Sequence, residues 1–64
     1  MRFHSKYRHI ATLDTDLYVH HVQYEHKDYF KVWASLIDRK SEYVYETASF
    51  KIQKEHLKYW RIVV

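Results

Sequence analysis

The stretch "YFKVWASLI", residues 29–37, alternates without a break. Phe30, Val32, Ala34 and Leu36 form a wholly apolar set, and Tyr29, Lys31, Trp33, Ser35 and Ile37 form a mixed one. Period two in β-branched and aromatic residues marks a strand with one buried face and one wet face. The reading predicts that the apolar set meets the core. Trp33 then points away from it, together with Tyr29 and Lys31.

Working outward, "LYVHHVQY" (residues 17–24) also alternates, with Tyr18, His20, Val22 and Tyr24 set against Leu17, Val19, His21 and Gln23. "EYVYETASFKI" (42–52) places Val44, Ala48, Phe50 and Ile52 together but is interrupted by Glu46. A bulge near Glu46 would turn Tyr43 and Tyr45 inward. "KYWRIVV" (58–64) sets Trp60, Ile62 and Val64 against Tyr59, Arg61 and Val63, and a further strand is expected at "KYRHIATL" (6–13). Polar clusters at Asp14–Asp16, Glu25–Asp28, Asp38–Ser41 and Gln53–Glu55 separate these segments. Short strands at such spacing suggest a meander, sandwich or small barrel. The chain has no glycine or asparagine, which the tightest hairpin turns need for positive φ. Loops of about three to five residues are expected instead, with Asp14, Asp28 or Asp38 bonding the local backbone.

The last third carries two periods. Phe50, Gln53, Leu57, Trp60 and Val64 fall at helical spacing, and Ser49 could cap a helix there. The reading favours one helical turn around Gln53 to Leu57 followed by a short strand. Its rival is a helix from about Phe50 to Ile62, which would make the chain an α+β meander with a C-terminal helix. The favoured fold is all-β: one domain over 1–64, five strands, with one helical turn before the last.

That order of elements resembles the Src-homology-3-like small barrel of bacterial or phage type. "SFKIQKEHLKYWRIV" (49–63) looks like the end of such a domain; the resemblance implies that Leu57 plugs the barrel bottom. The chain lacks the turn glycines of those barrels and the aromatic-acidic loop of the proline-rich-peptide binders, so no peptide-binding residues carry over. Residues 30–62 also resemble tailed-phage head–tail connector proteins, through Val32–Trp33–Ala34, Glu42–Tyr43 and "HLKYWRI". That resemblance implies a structural subunit of a virion.

Sixty-four residues bury only about 60% of the surface the unfolded chain exposes, and net stability is expected at about 3–5 kcal/mol. There is no cysteine to staple the fold, but aromatics are 19% of the chain. Each buried ring removes about 150–250 Å² from water. The formal charge is +3 with six histidines neutral, a mild excess that suits nucleic acid or an acidic protein surface. No stretch has the length of a signal peptide or membrane span. A cytoplasmic protein, or one packed in a virion, is expected, with no membrane partner.

For chemistry the inventory is thin. Without glycine there is no phosphate loop, and Ser5, Ser35, Ser41 and Ser49 sit in no nucleophile motif. Asp14 and Asp16 read as a turn with local hydrogen bonds. The histidines His4, His9, His20, His21, His26 and His56 lack metal-ligand spacing, although His21, His26 and Asp28 could be imagined together. Neither cofactor nor metal nor catalysis is expected. The strongest signal is basic residues interleaved with aromatics: Tyr29, Lys31 and Trp33 on one strand face, and Lys51, Lys54, Lys58 and Arg61 in the last third. Trp60 is expected in the core and Trp33 exposed. Such a face suits another protein, where exposed tryptophan, tyrosine and arginine concentrate, or single-stranded nucleic acid. The acids Glu25, Asp28, Glu42 and Glu46 dilute a basic stripe, so docking on a larger protein complex, as an accessory factor or inhibitor, ranks first. A nucleic-acid-binding barrel is the alternative.

Overall fold

A computed structural model describes residues 1–5 and 14–63. Five strands form one antiparallel sheet: β1 (Arg2–Ser5), β2 (Thr15–Glu25), β3 (Tyr29–Asp38), β4 (Val44–Gln53) and β5 (Trp60–Ile62), in the order β4-β3-β2-β1-β5. A 3-10 helix, Lys54–Tyr59, precedes β5. The all-β expectation holds, and the rival C-terminal helix from Phe50 does not form. Strand β4 runs on to Gln53 because Phe50 and Ile52 pair with Val32 and Phe30, which buries more apolar surface than a helical stripe in contact with nothing would. The expected strand at 6–13 lies outside the described residues; the first described strand is Arg2–Ser5.

The core is small: Leu17, Val32, Ala34 and Ile52 are buried, with Val19, Phe30, Leu36, Phe50 and Trp60 packed against them. Strand β3 supplies the inner set as its alternation predicts. Strand β2 departs from its expected faces. Its register to β3 slips between Val19 and His21 and again between Val22 and Tyr24. Each slip is a bulge that sets an extra residue on β2. Parity therefore reverses twice. Val22 pairs with Val32 and joins the inner face with Leu17 and Val19, while His21 and Tyr24 pair with Trp33 and Lys31 on the outer face.

A third bulge falls where expected, but with a different result. The β3–β4 register shifts between Leu36↔Glu46 and Ile37↔Val44, which leaves Tyr45 as the extra residue. Tyr43 and Tyr45 stay in water, at 64% and 53% exposed. The Tyr45 hydroxyl donates to Asp38 Oδ1 at 3.2 Å, and this bond holds the ring over the loop instead of the core.

The loops are short and make up for the missing glycine. His26–Asp28 join β2 to β3, where Asp28 N–H donates to His26 Nδ1 (3.2 Å). In the β3–β4 loop the Asp38 carboxylate accepts from Lys40 N–H, Ser41 N–H and Ser41 Oγ. Those bonds, the Ser41 backbone bond foremost, hold the Asp38 carboxyl below its usual pKa. Glu42 takes φ +64°, a left-handed turn position that costs a non-glycine residue about 1–2 kcal/mol. Its carboxylate meets Arg2 at 2.7 Å.

Candidate functional site

The outer face of β2–β3–β4 gathers part of the expected set. Cross-strand partners share a face of a sheet, so the register defines rows. One row is Tyr18–Ser35–Thr47, the next His21–Trp33–Ser49, and the next Tyr24–Lys31–Lys51. No position in these rows is acidic. Tyr24, Trp33 and Tyr18 expose 54%, 37% and 40% of their surface. Beyond the last row lies Tyr29, paired with Gln53. Lys51 Nζ sits 4.4 Å above the Tyr29 ring, and His26 stacks on that ring at 4.8 Å and 15°. Neither Lys31 nor Lys51 meets a carboxylate among the described residues.

Tyr29, Lys31, Trp33 and Lys51 thus come together, and the other expected binding residues do not. Lys54 is ion-paired with Glu25 at 2.8 Å and lies over the Phe30 ring. Lys58 lies over Tyr59 in the 3-10 helix. Arg61 pairs with His4 across β5 and β1, on the opposite edge of the sheet with three strands between it and β4. Sequence proximity had grouped Lys54, Lys58 and Arg61 with Lys51, but the chain turns out of the sheet after Gln53.

Side-chain bonds brace the face. His20, set out by the first bulge, shares a 2.8 Å bond with Ser35 Oγ, which is also 2.7 Å from Thr47 Oγ1. Ser49 Oγ donates to Gln23 Oε1 at 2.8 Å. The two bulges bring His21 and Gln23 to this side beside His20 and Tyr24, and send Val22 to the other. The doublets His20–His21 and Gln23–Tyr24 between single valines were the sequence signal for them.

At the far end of the face is a second polar cluster that the sequence reading missed. Asp16 reads as a turn residue but lies in β2, 1% exposed. Its carboxylate accepts from Arg2 Nε (2.7 Å), stands 2.9 Å from His4 Nδ1 and 3.3 Å from Arg39 Nε. The bonds from Arg2 to Asp16 and then Glu42 raise the guanidinium pKa further. His4 is itself 4% exposed, so this cluster is built into the fold and ties β1 to β2 and to the β3–β4 loop. Nothing in the local pattern joins Arg2, His4 and Arg39 to Asp16, because the contacts lie 12, 14 and 23 residues apart along the chain.

On the inner face an apolar cavity of about 190 Å³ opens between Val19, Val22, Phe30 and Ile52 on one side and Phe3, Leu57 and Trp60 on the other. Leu57 reaches it but is 45% exposed, so it does not plug the sheet as the barrel resemblance implied. Trp60 is half-buried against the core, as expected of it, and its Nε1 has no hydrogen-bond partner among the described residues. Among those residues no three histidines or carboxylates converge to hold a metal ion, and no helix is long and apolar enough to cross a membrane.

No family model matches the chain, and neither the curated proteins nor the solved structures contain a match to it.

Proposed function

We propose that the chain is a non-enzymatic binding module that holds a polyanionic partner on the outer face of β2–β3–β4. The observation that carries this reading is the Lys31–Lys51 pair. Like charges directly opposite one another destabilise a sheet, and here they face each other with no carboxylate beside them among the described residues. A bound anion offsets that repulsion. The four acids that weighed against a basic surface stand elsewhere. Glu25 is bonded to Lys54, Glu42 to Arg2, Glu46 pairs with the inner-face Leu36, and Asp28 lies in the β2–β3 loop beside His26. The test is retention on an immobilised polyanion such as heparin at low salt. Lys31→Gln with Lys51→Gln should abolish retention and at the same time raise unfolding stability by a few tenths to about 1 kcal/mol. Retention unchanged in the double variant would move the site elsewhere.

A second reading is supported by a different surface. β4 is an edge strand, and Tyr43, Val44 and Tyr45 at its start are 64%, 48% and 53% exposed. An open edge with exposed aromatics suits docking on a larger protein by strand addition. The likeness to Src-homology-3-like small barrels is supported by the five strands and the single helical turn before the last, and is kept here as a reading of the fold's kinship.

A further inference from the structure

The Lys31–Lys51 row explains a polyanion, but lysines alone leave the rings unexplained. We infer that the partner is single-stranded nucleic acid, its bases stacking on Trp33 and Tyr24 and its phosphates meeting Lys31 and Lys51. This rests on the polyanion reading and narrows it. The rings and cations occupy adjacent rows of one face, and Trp33 and Tyr24 are open to solvent. A duplex hides its base faces inside its own stack, so it offers these rings nothing. An acidic segment without apolar side chains, such as polyglutamate, would use the lysines and leave the indole idle.

Spacing agrees with the same partner. Rows two residues apart along a strand repeat every ~6.6 Å. A stacked strand of nucleic acid advances ~3.4 Å per nucleotide, so one opened to admit a side chain beside each base advances about twice that. Three rows together with the Tyr29 row accommodate about three nucleotides at that repeat. The electrostatic term is small. Lys54, Lys58 and Arg61 lie off the face and Arg2 is held by Asp16 and Glu42, which leaves Lys31 and Lys51 for phosphate among the described residues; affinity should fall with salt at a log–log slope of about −1.4 for a single strand.

The test is fluorescence anisotropy with a labelled oligothymidylate of about eight nucleotides, titrated between ~20 and ~200 mM salt. A duplex of the same length and a polyglutamate peptide are run beside it. We expect the single strand to bind more tightly than either, with the shallow slope above. Trp33→Ala should weaken it by about 5- to 150-fold with the slope unchanged. Tyr24→Ala, at the more exposed ring, should do the same and serves if Trp33→Ala fails to fold by circular dichroism. Lys31→Gln with Lys51→Gln should bring the slope near zero. Equal binding of duplex and single strand, or ring variants that bind like the wild type, would overturn the stacking assignment and leave the polyanion reading standing. Tighter binding of polyglutamate would make the partner an acidic protein. Failure of all three probes to bind would overturn both.

Discussion

Replacing Asp16 by alanine tests how much of the fold hangs on one buried carboxylate. Asp16 and His4 are 1% and 4% exposed, so the variant leaves the His4 ring nitrogen buried without its acceptor. An unsatisfied buried donor costs about 1–3 kcal/mol. The two arginine arms are weaker. Arg2 and Arg39 keep 20% and 38% of their side-chain surface, can turn back to water, and count as screened pairs of at most about 1 kcal/mol each. Together the loss comes to about 1–5 kcal/mol, with a middle value of about 3 kcal/mol, set against an expected total of about 3–5 kcal/mol for a domain this small. Urea unfolding followed by circular dichroism and tryptophan fluorescence measures it. Asp16→Ala should keep only about 1 kcal/mol of stability and show a visible unfolded fraction before denaturant is added, whereas Arg39→Ala should shift the midpoint by under about 1 kcal/mol. An Asp16→Ala protein within about 0.5 kcal/mol of wild type would refute the reasoning. So would an Arg39→Ala variant just as damaged, since the burial of His4 would then not be what sets the cost.

Other consequences are simpler to read. Trp60→Ala should cost about 2–3 kcal/mol, below the range for a fully buried tryptophan because the ring is only half-covered; a thermal melt shows it. Glu42→Gly relieves a left-handed residue worth about 1–2 kcal/mol and loses an exposed ion pair worth at most about 1 kcal/mol, so its melting temperature should hold or rise, while Glu42→Ala, which loses the pair without relieving the backbone, should fall. The Asp38 carboxyl is held below its usual value in the folded state. Its contribution is therefore present above the unfolded value of about 3.9 and lost as pH falls through the folded one. Wild type should lose more stability than Asp38→Asn between about pH 5 and about pH 2, as urea midpoints across that range will show.

Much of the fold can be read from the alternation because burial enforces it. On β3 a one-residue slip would send Phe30, Val32 and Ala34 into water, so the pattern and the register agree. On β2 the same logic runs through bulges. The inner positions Val19 and Val22 are three apart, which a period-two reading splits between faces. Only by letting His20–His21 and Gln23–Tyr24 each stand as an outward doublet do the valines fall together. The Asp16 cluster lay beyond such a reading because its bonds depend on strand order: β1 has to lie beside β2 before Arg2 and His4 can reach a carboxylate 12 to 14 residues away.

The same strand order changes the balance between the functional classes. Along the sequence, Glu25, Asp28, Glu42 and Glu46 fall among the basic residues and dilute their charge. In the sheet, position along the chain matters less than face and row. Glu46 is five residues from Lys51 on β4, but it pairs with Leu36 while Lys51 pairs with Lys31, and an odd separation puts the two on opposite faces. Glu25 follows Tyr24 directly, yet it pairs with the inner-face Phe30 and holds Lys54. A net charge of +3 is weak when spread over the whole surface. It is a different quantity when Glu25, Glu42 and Glu46 are held away from these rows, Asp16 is tied up by Arg2, His4 and Arg39, and two lysines are set opposite each other among three exposed rings. The field a partner meets is local, screened beyond about 8–10 Å at physiological salt, and that range covers little more than the rows of Trp33 and Lys31.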